Sequence, residues 1–260
     1  MDIFIGMIIG LLSGFFGGLV GLGGGIIMIP LMVGILKISQ HMAHGTSLVG
    51  VFFTGLMGAI TYSMNGFIEL MPGLILAAAA IITARFGARY ANSLPEWKLK
   101  RAFGYFLFFV VILFWLKPYI GDFSLSAATF AKVIILLCIG AFTGFLSGMM
   151  GVGGGTIMVP AMVIFAGMGQ QVAQGVSLFA MIPSSAIGAL THHRNGNVQT
   201  KILPGLIVGI LIGTFFGGSF AQVLPEIALR VVFSIVVIYT AIRNVRAKKP
   251  KTLKESANQS

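Results

Sequence analysis

Acidic residues are nearly missing from this sequence. Of its 260 residues 9% are charged, and only 6 are Asp or Glu. Soluble domains carry about a quarter charged residues, so no soluble enzyme or water-exposed scaffold makes up the bulk of the chain. Cysteine occurs once, at Cys138. That excludes an intrachain disulfide and a cysteine metal cluster, and its apolar surroundings read as those of a small core residue. The strings GxxxxGK[ST], HExxH and GxSxG are all missing, as is any pair of carboxylates within an apolar run. ATP use and hydrolysis therefore have no visible machinery. No enzyme activity and no cofactor is expected. His41 and His44 have ligand-like spacing but no acidic or cysteine companion, so no metal is expected either. The start, Met1-Asp2-Ile3-Phe4, lacks the basic stretch of a cleaved signal peptide, so the first apolar run is expected to stay.

Hydrophobic residues make up 57% of the chain, and the mean hydropathy is +0.99. Apolar runs long enough to cross a bilayer recur along almost its whole length. The expected fold class is an all-α integral membrane protein, with the lipid bilayer as its first partner. The net charge of +11 could suit nucleic acid. Here the basic residues sit in short loops and a tail, the pattern that orients membrane proteins, and no nucleic-acid partner is expected.

The chain repeats itself. Gly14–Pro30 reads GFFGGLVGLGGGIIMIP and Gly144–Pro160 reads GFLSGMMGVGGGTIMVP, an offset of 130 residues. The same offset pairs Gln40 with Gln170, Gly45 with Gly175, Ser47 with Ser177, Thr61 with Thr191 and Asn65-Gly66 with Asn195-Gly196. The expected organisation is one repeat over 1–120, a second over 128–243, and a basic cytoplasmic tail over 244–260. Each repeat has four hydrophobic segments, about eight in total: 3–36, 45–63, 70–91 and 100–117, then 129–166, 175–192, 202–222 and 227–243.

The first segment of each repeat is too long for one crossing. A helix over 3–36 would run about 50 Å against a hydrocarbon core of about 30 Å. Gly23-Gly24-Gly25 and Gly153-Gly154-Gly155 lie inside these segments, and three adjacent glycines disfavour a continuous helix. Each segment is either a broken full crossing or a re-entrant hairpin. Charge placement favours the hairpin. It puts Lys37, the Arg89–Arg101 loop, His192-His193-Arg194 and the tail on one side, as the positive-inside rule asks. Each half then makes three full crossings, and the halves are inverted. The expected location is a cell inner (plasma) membrane, multi-pass, with the C-terminus cytoplasmic.

A helix break inside a bilayer frees backbone N–H groups, and the helix that follows carries a partial positive charge at its start. Together these suit an anion. The candidate substrate-binding residues are Gly23, Gly24, Gly25, Gly153, Gly154 and Gly155. With them stand His44, Thr46, Ser47, Gln174 and Ser177, which can donate to an oxyanion. The alternatives are tight helix packing for the glycines and helix capping for Thr46 and Ser47. Pro30 and Pro160 read as kinks or ends of the half-helices. Arg85 and Arg89 read as snorkelling to the cytoplasmic interface.

The duplicated G-x-x-G-x-G-G-G-x-x-x-x-P, at Gly18–Pro30 and Gly148–Pro160, resembles the sulfite exporter TauE/SafE family, also called the toluene sulfonate uptake permeases. The resemblance extends over residues 3–243. It implies a secondary membrane transporter for a small anion such as sulfite, sulfoacetate or another organosulfonate. It also implies coupling to an ion gradient, with a proton or cation as coupling partner; a homo-oligomer is compatible with it. A passive anion channel and a non-transporting membrane scaffold are the alternatives.

Overall fold

The computed structural model describes residues 2–90, 129–150 and 153–246, with scattered residues between 97 and 116. The described helices are α1 (Asp2–Val20), α2 (Gly25–Ile35), α3 (Gln40–Ser63), α4 (Leu70–Tyr90), α5 (Thr129–Met150), α6 (Gly155–Phe165), α7 (Gln170–Arg194), α8 (Leu203–Val223) and α9 (Glu226–Val245). A 3-10 turn, Thr200–Ile202, leads into α8. No strand occurs among the described residues. Six of the helices, α1, α3, α4, α5, α7 and α8 with its leading turn, contain spans long and apolar enough to cross a membrane. Eight segments were expected. The block 100–117 is described only in interrupted stretches, and the last block, now α9, is not among the six. The tail beyond Arg246 also lies outside them.

Both overlong segments divide at their glycines. α1 stops at Val20, and Gly21, Gly23 and Gly24 take φ of 73°, 78° and 75°, a region open to glycine at little cost. The turn folds α2 back on α1. A Cβ on Gly24 would collide with the Ser13 carbonyl, and Met28, Ile29 and Met32 share a buried cluster with Ile9. In the second half Gly153 repeats the positive φ, at 78°, whereas Gly154 sits at −77°. Pro30 and Pro160 lie inside α2 and α6 rather than ending them.

Glycine sets the helix pairing. Gly6, Gly10, Gly14 and Gly18 of α1 face Ile202, Leu206, Ile210 and Thr214 in that order, so α1 and the strip ending in α8 run side by side in the same sense. Gly205, Gly209, Gly213 and Gly217 face back onto Ile3, Met7, Leu11 and Phe15. Nearly bare backbones meet along this seam, the small-residue packing that bilayers favour. α5 pairs with α4 in the same way: Gly140, Gly144 and Gly148 face Leu76, Ala80 and Ala84. The central pair is antiparallel. Gly55 and Gly58 of α3 meet Leu178, and Gly188 of α7 meets Leu48.

These contacts come in repeat-related couples. Gly10 on Leu206 matches Gly140 on Leu76, Gly217 on Phe15 matches Gly87 on Phe145, and Gly175 on the Phe67 carbonyl matches Gly45 on the Asn197 carbonyl. With short turns joining α3 to α4 and α7 to α8, α1 and α3 run in one sense, and α5 and α7 run in the other. One end of the bundle carries Lys37, His41, His193, Arg194 and Lys201, and α4 and α9 bring Arg85, Arg89, Arg243 and Arg246 toward it. Glu69, Lys132, Glu226 and Arg230 lie toward the opposite end.

Two local expectations are corrected. α3 and α7 start five residues earlier than the apolar blocks suggested. Ser39 caps α3 by accepting a hydrogen bond from the Met42 amide at 3.3 Å, so Thr46 and Ser47 lie inside the helix and cap nothing. Cys138 is exposed on the outer face of α5, not in the core.

Candidate substrate site at the paired helix breaks

The two breaks meet at the centre of the bundle. A Cβ on Gly23 would lie 3.0 Å from Val51 Cγ1 and 3.4 Å from Met181 Sδ. A Cβ on Gly153 would lie 3.2 Å from Met181 Sδ and 3.3 Å from Val51 Cγ1. Val51 and Met181 occupy equivalent places in the two repeats, and both are buried. Gly155, the first residue of α6, packs on the backbone of Gly21 and Leu22. The starts of α2 and α6 therefore converge from opposite halves. First-turn N–H groups have no acceptor within their own helix, and the dipoles add positive potential at the same place.

α7 supplies the polar lining of the first break. Gln174 is fully buried with its side-chain carbons against Gly21. The Tyr62 hydroxyl is shared between the Gly18 carbonyl at 3.0 Å and Gln174 Oε1 at 3.1 Å. Gln174 Nε2 has no partner. An unpaired donor this deep is costly unless something occupies it. Ser177 Oγ donates to the Gly21 carbonyl at 3.2 Å, bracing the loop.

α3 holds the matching positions of the other half, with different chemistry. His44 is buried, and Ser47 Oγ donates to its carbonyl at 2.8 Å. Thr46 Oγ1 donates to the Met42 carbonyl at 2.6 Å and accepts from the Gln199 amide at 2.9 Å, tying α3 to the turn before α8. His192 stands where Tyr62 stands in the first half, near the Gly148 carbonyl but outside hydrogen-bonding geometry. Gly151 and Val152 lie outside the described residues.

Of the sequence candidates, the structure brings Gly23, Gly153, Gly155, Gln174 and Ser177 together around the meeting breaks. Gly24 and Gly25 open α2, with Gly24 turned toward Ser13, and Gly154 opens α6 beside Thr143. Thr46 instead braces the turn before α8. Sequence reading missed Tyr62, His192, Val51 and Met181. These are two repeat-related pairs whose members differ, so matching identical residues passed over them.

The model of the family described as "Sulfite exporter TauE/SafE" matches residues 5–244. The chain belongs to this family. Among TauE/SafE relatives, it is 28% identical to "Probable membrane transporter protein YdhB" of Bacillus subtilis (strain 168), covering 88% of this chain and 92% of that one. It is 28% identical to "Probable membrane transporter protein YunE" of the same organism, over 92% and 95% of the two chains. A "Probable membrane transporter protein" of Xylella fastidiosa (strain Temecula1 / ATCC 700964) is 29% identical, over 89% and 90%. No solved structure matches the chain. Family and helices together make it a multi-pass membrane protein of a transporter family.

Proposed function

We propose that the protein is a secondary transporter of a small anion, a sulfur oxyanion or organosulfonate, moved at the expense of an ion gradient. The carrying observation is the buried Gln174 Nε2, without a partner, beside two half-helix starts that meet at the bundle centre. A hydrogen-bond donor, backbone N–H groups and two dipole ends favour an anion over a cation or a neutral solute. No carboxylate is buried among the described residues to oppose it. Sulfur chemistry enters through the family description alone. In this reading the halves cross an inner membrane in opposite senses, α1–α2 and α5–α6 are re-entrant, and the arginine-rich end is cytoplasmic.

The test is flux through purified protein in liposomes, with sulfite, sulfoacetate, sulfate and chloride offered in turn. Saturable, gradient-dependent movement of a sulfur anion is expected. Non-saturating, gradient-independent flux would mean a passive channel, and no flux of any anion would leave a scaffold.

A further inference from the structure

We infer that His192 is the proton-binding residue through which anion movement is coupled to a proton gradient. The inference rests on the transporter reading above and names its coupling site. Proton coupling needs a group inside the bundle that gains and loses a proton near neutral pH. Among the described residues the buried polar side chains include no Asp, Glu, Lys or Arg; the groups that titrate in that range are two imidazoles, His44 and His192. Ionisable residues within a membrane span are rare and mark ion pathways. His192 is 8% exposed, and both ring nitrogens lack a partner.

The repeat supplies an internal comparison. Tyr62, the equivalent residue, is fully satisfied by Gly18 and Gln174 across the first break. That side of the bundle is latched by groups that stay neutral through the physiological range. The other side carries imidazole in place of the phenol at 192, and imidazole in place of the amide at 44. The asymmetry places a titratable group on one side of the centre alone.

The charged neighbourhood comes from every packed element. α3 contributes His41, which interacts electrostatically with His192, and His44; Lys37 precedes it. α4 brings Arg85 and Arg89 toward the same end, α7 itself His193 and Arg194, and the 3-10 turn Lys201. α5 presents the Gly148 carbonyl, three residues before the second glycine break, and α8 has no titratable side chain here. A proton from this aqueous end adds to a ring nitrogen, and the imidazolium attracts the anion at the neighbouring break. Each ligand then raises the affinity of the other. Release of the proton to the opposite side returns the neutral ring, and no bond to the substrate forms.

The experiment uses the full chain in liposomes holding a pH-sensitive dye, with sulfite and sulfoacetate as probes. Two quantities are read: accumulation driven by a pH gradient, and exchange at equal pH. His192→Gln and His192→Tyr are expected to lose gradient-driven accumulation and proton entry by about tenfold or more, while exchange at equal pH persists at a reduced rate. Variants that still accumulate the probe with dye-reported proton entry overturn the assignment. A wild type that exchanges but ignores the pH gradient also overturns it and leaves the transporter reading standing. A wild type that moves neither probe, nor any other sulfur anion, defeats both. If the variants do not yield monodisperse protein, imidazole NMR of the wild type decides. A His192 resonance that titrates and shifts on adding sulfite supports the site; one that does not titrate between about pH 5 and 9 overturns it.

Discussion

Adjacent glycines in the breaks do different jobs, and alanine separates them. A Cβ on Gly155 would collide with the Gly21 carbonyl and come within 2.7 Å of Leu22 Cα, both backbone. Gly24→Ala combines a collision at Ser13 with a φ of 75°, which by itself costs about 1–2 kcal/mol in a residue with a side chain. Gly154 is the mild case: its φ is −77° and its nearest neighbour, Thr143 Cβ, would be 3.2 Å away. Gly155→Ala and Gly24→Ala should therefore lower the melting temperature markedly, whereas Gly154→Ala should leave it nearly unchanged. Only the Gly154 variant then reports on substrate contact without a folding defect. Gln174→Glu is a second clean probe, because a carboxylate still accepts from Tyr62 but replaces the Nε2 donor with negative charge. Loss of a hydrogen bond to a charged ligand, about 1.5–3 kcal/mol, should weaken sulfite binding at least tenfold, measured by calorimetry on folded protein. Unchanged affinity would remove Gln174 from the site.

At the scale of helices, the seam between α1 and the α8 strip holds the halves together through backbone contact. Gly10 would strike the Leu206 carbonyl, and Gly209 and Gly213 the carbonyls of Met7 and Leu11. Alanine at any of the three should sharply reduce folded protein recovered from membranes. Gly34→Ala is the control: its Cβ meets nothing within 4 Å, and alanine inside a helix is favoured over glycine by about 1 kcal/mol. A seam variant as stable as wild type would show that these backbones can separate. The glycines every four residues at 6, 10, 14 and 18 are plain in the sequence, yet they name no partner, because pairing to α8 spans nearly the whole chain. The breaks were legible for a local reason: glycine triplets inside overlong apolar runs leave few alternatives. The starts of α3 and α7 were not. Hydrophobicity begins near 45 and 175, but Ser39 starts α3 with a side-chain cap, and the polar Gln170 opens α7 without one. Likewise Cys138 looked like core because the whole run is apolar, and lipid-facing and buried positions share that composition in a bilayer.

For the whole molecule, the decisive property is that equivalent turns of the two repeats lie at opposite ends. Asn65 and Asn195 are a matched pair in matched turns. Each precedes a glycine with positive φ, Gly66 at 73° and Gly196 at 72°. The Phe67 amide reaches the Tyr62 carbonyl at 3.0 Å, and the Asn197 amide reaches the His192 carbonyl at 2.9 Å. Asn65 is bonded to Gln222 at the end of α8, whereas Asn195 follows α7 toward the Lys201 turn where α8 begins. The two asparagines are thus separated by the length of α8, 21 residues or about 31 Å, roughly one bilayer core. Both are exposed, so cysteine at either should fold. With Cys138→Ser as background, an impermeant thiol reagent added to intact cells is expected to label Asn65→Cys. It should spare Asn195→Cys until the membrane is opened, since the orientation proposed above, which follows the positive-inside rule, puts the arginine-rich end in the cytoplasm. The reverse pattern would keep the inversion and flip the orientation. Labelling of both from one side would end the inverted arrangement, and with it the argument that the two breaks reach the substrate from opposite faces.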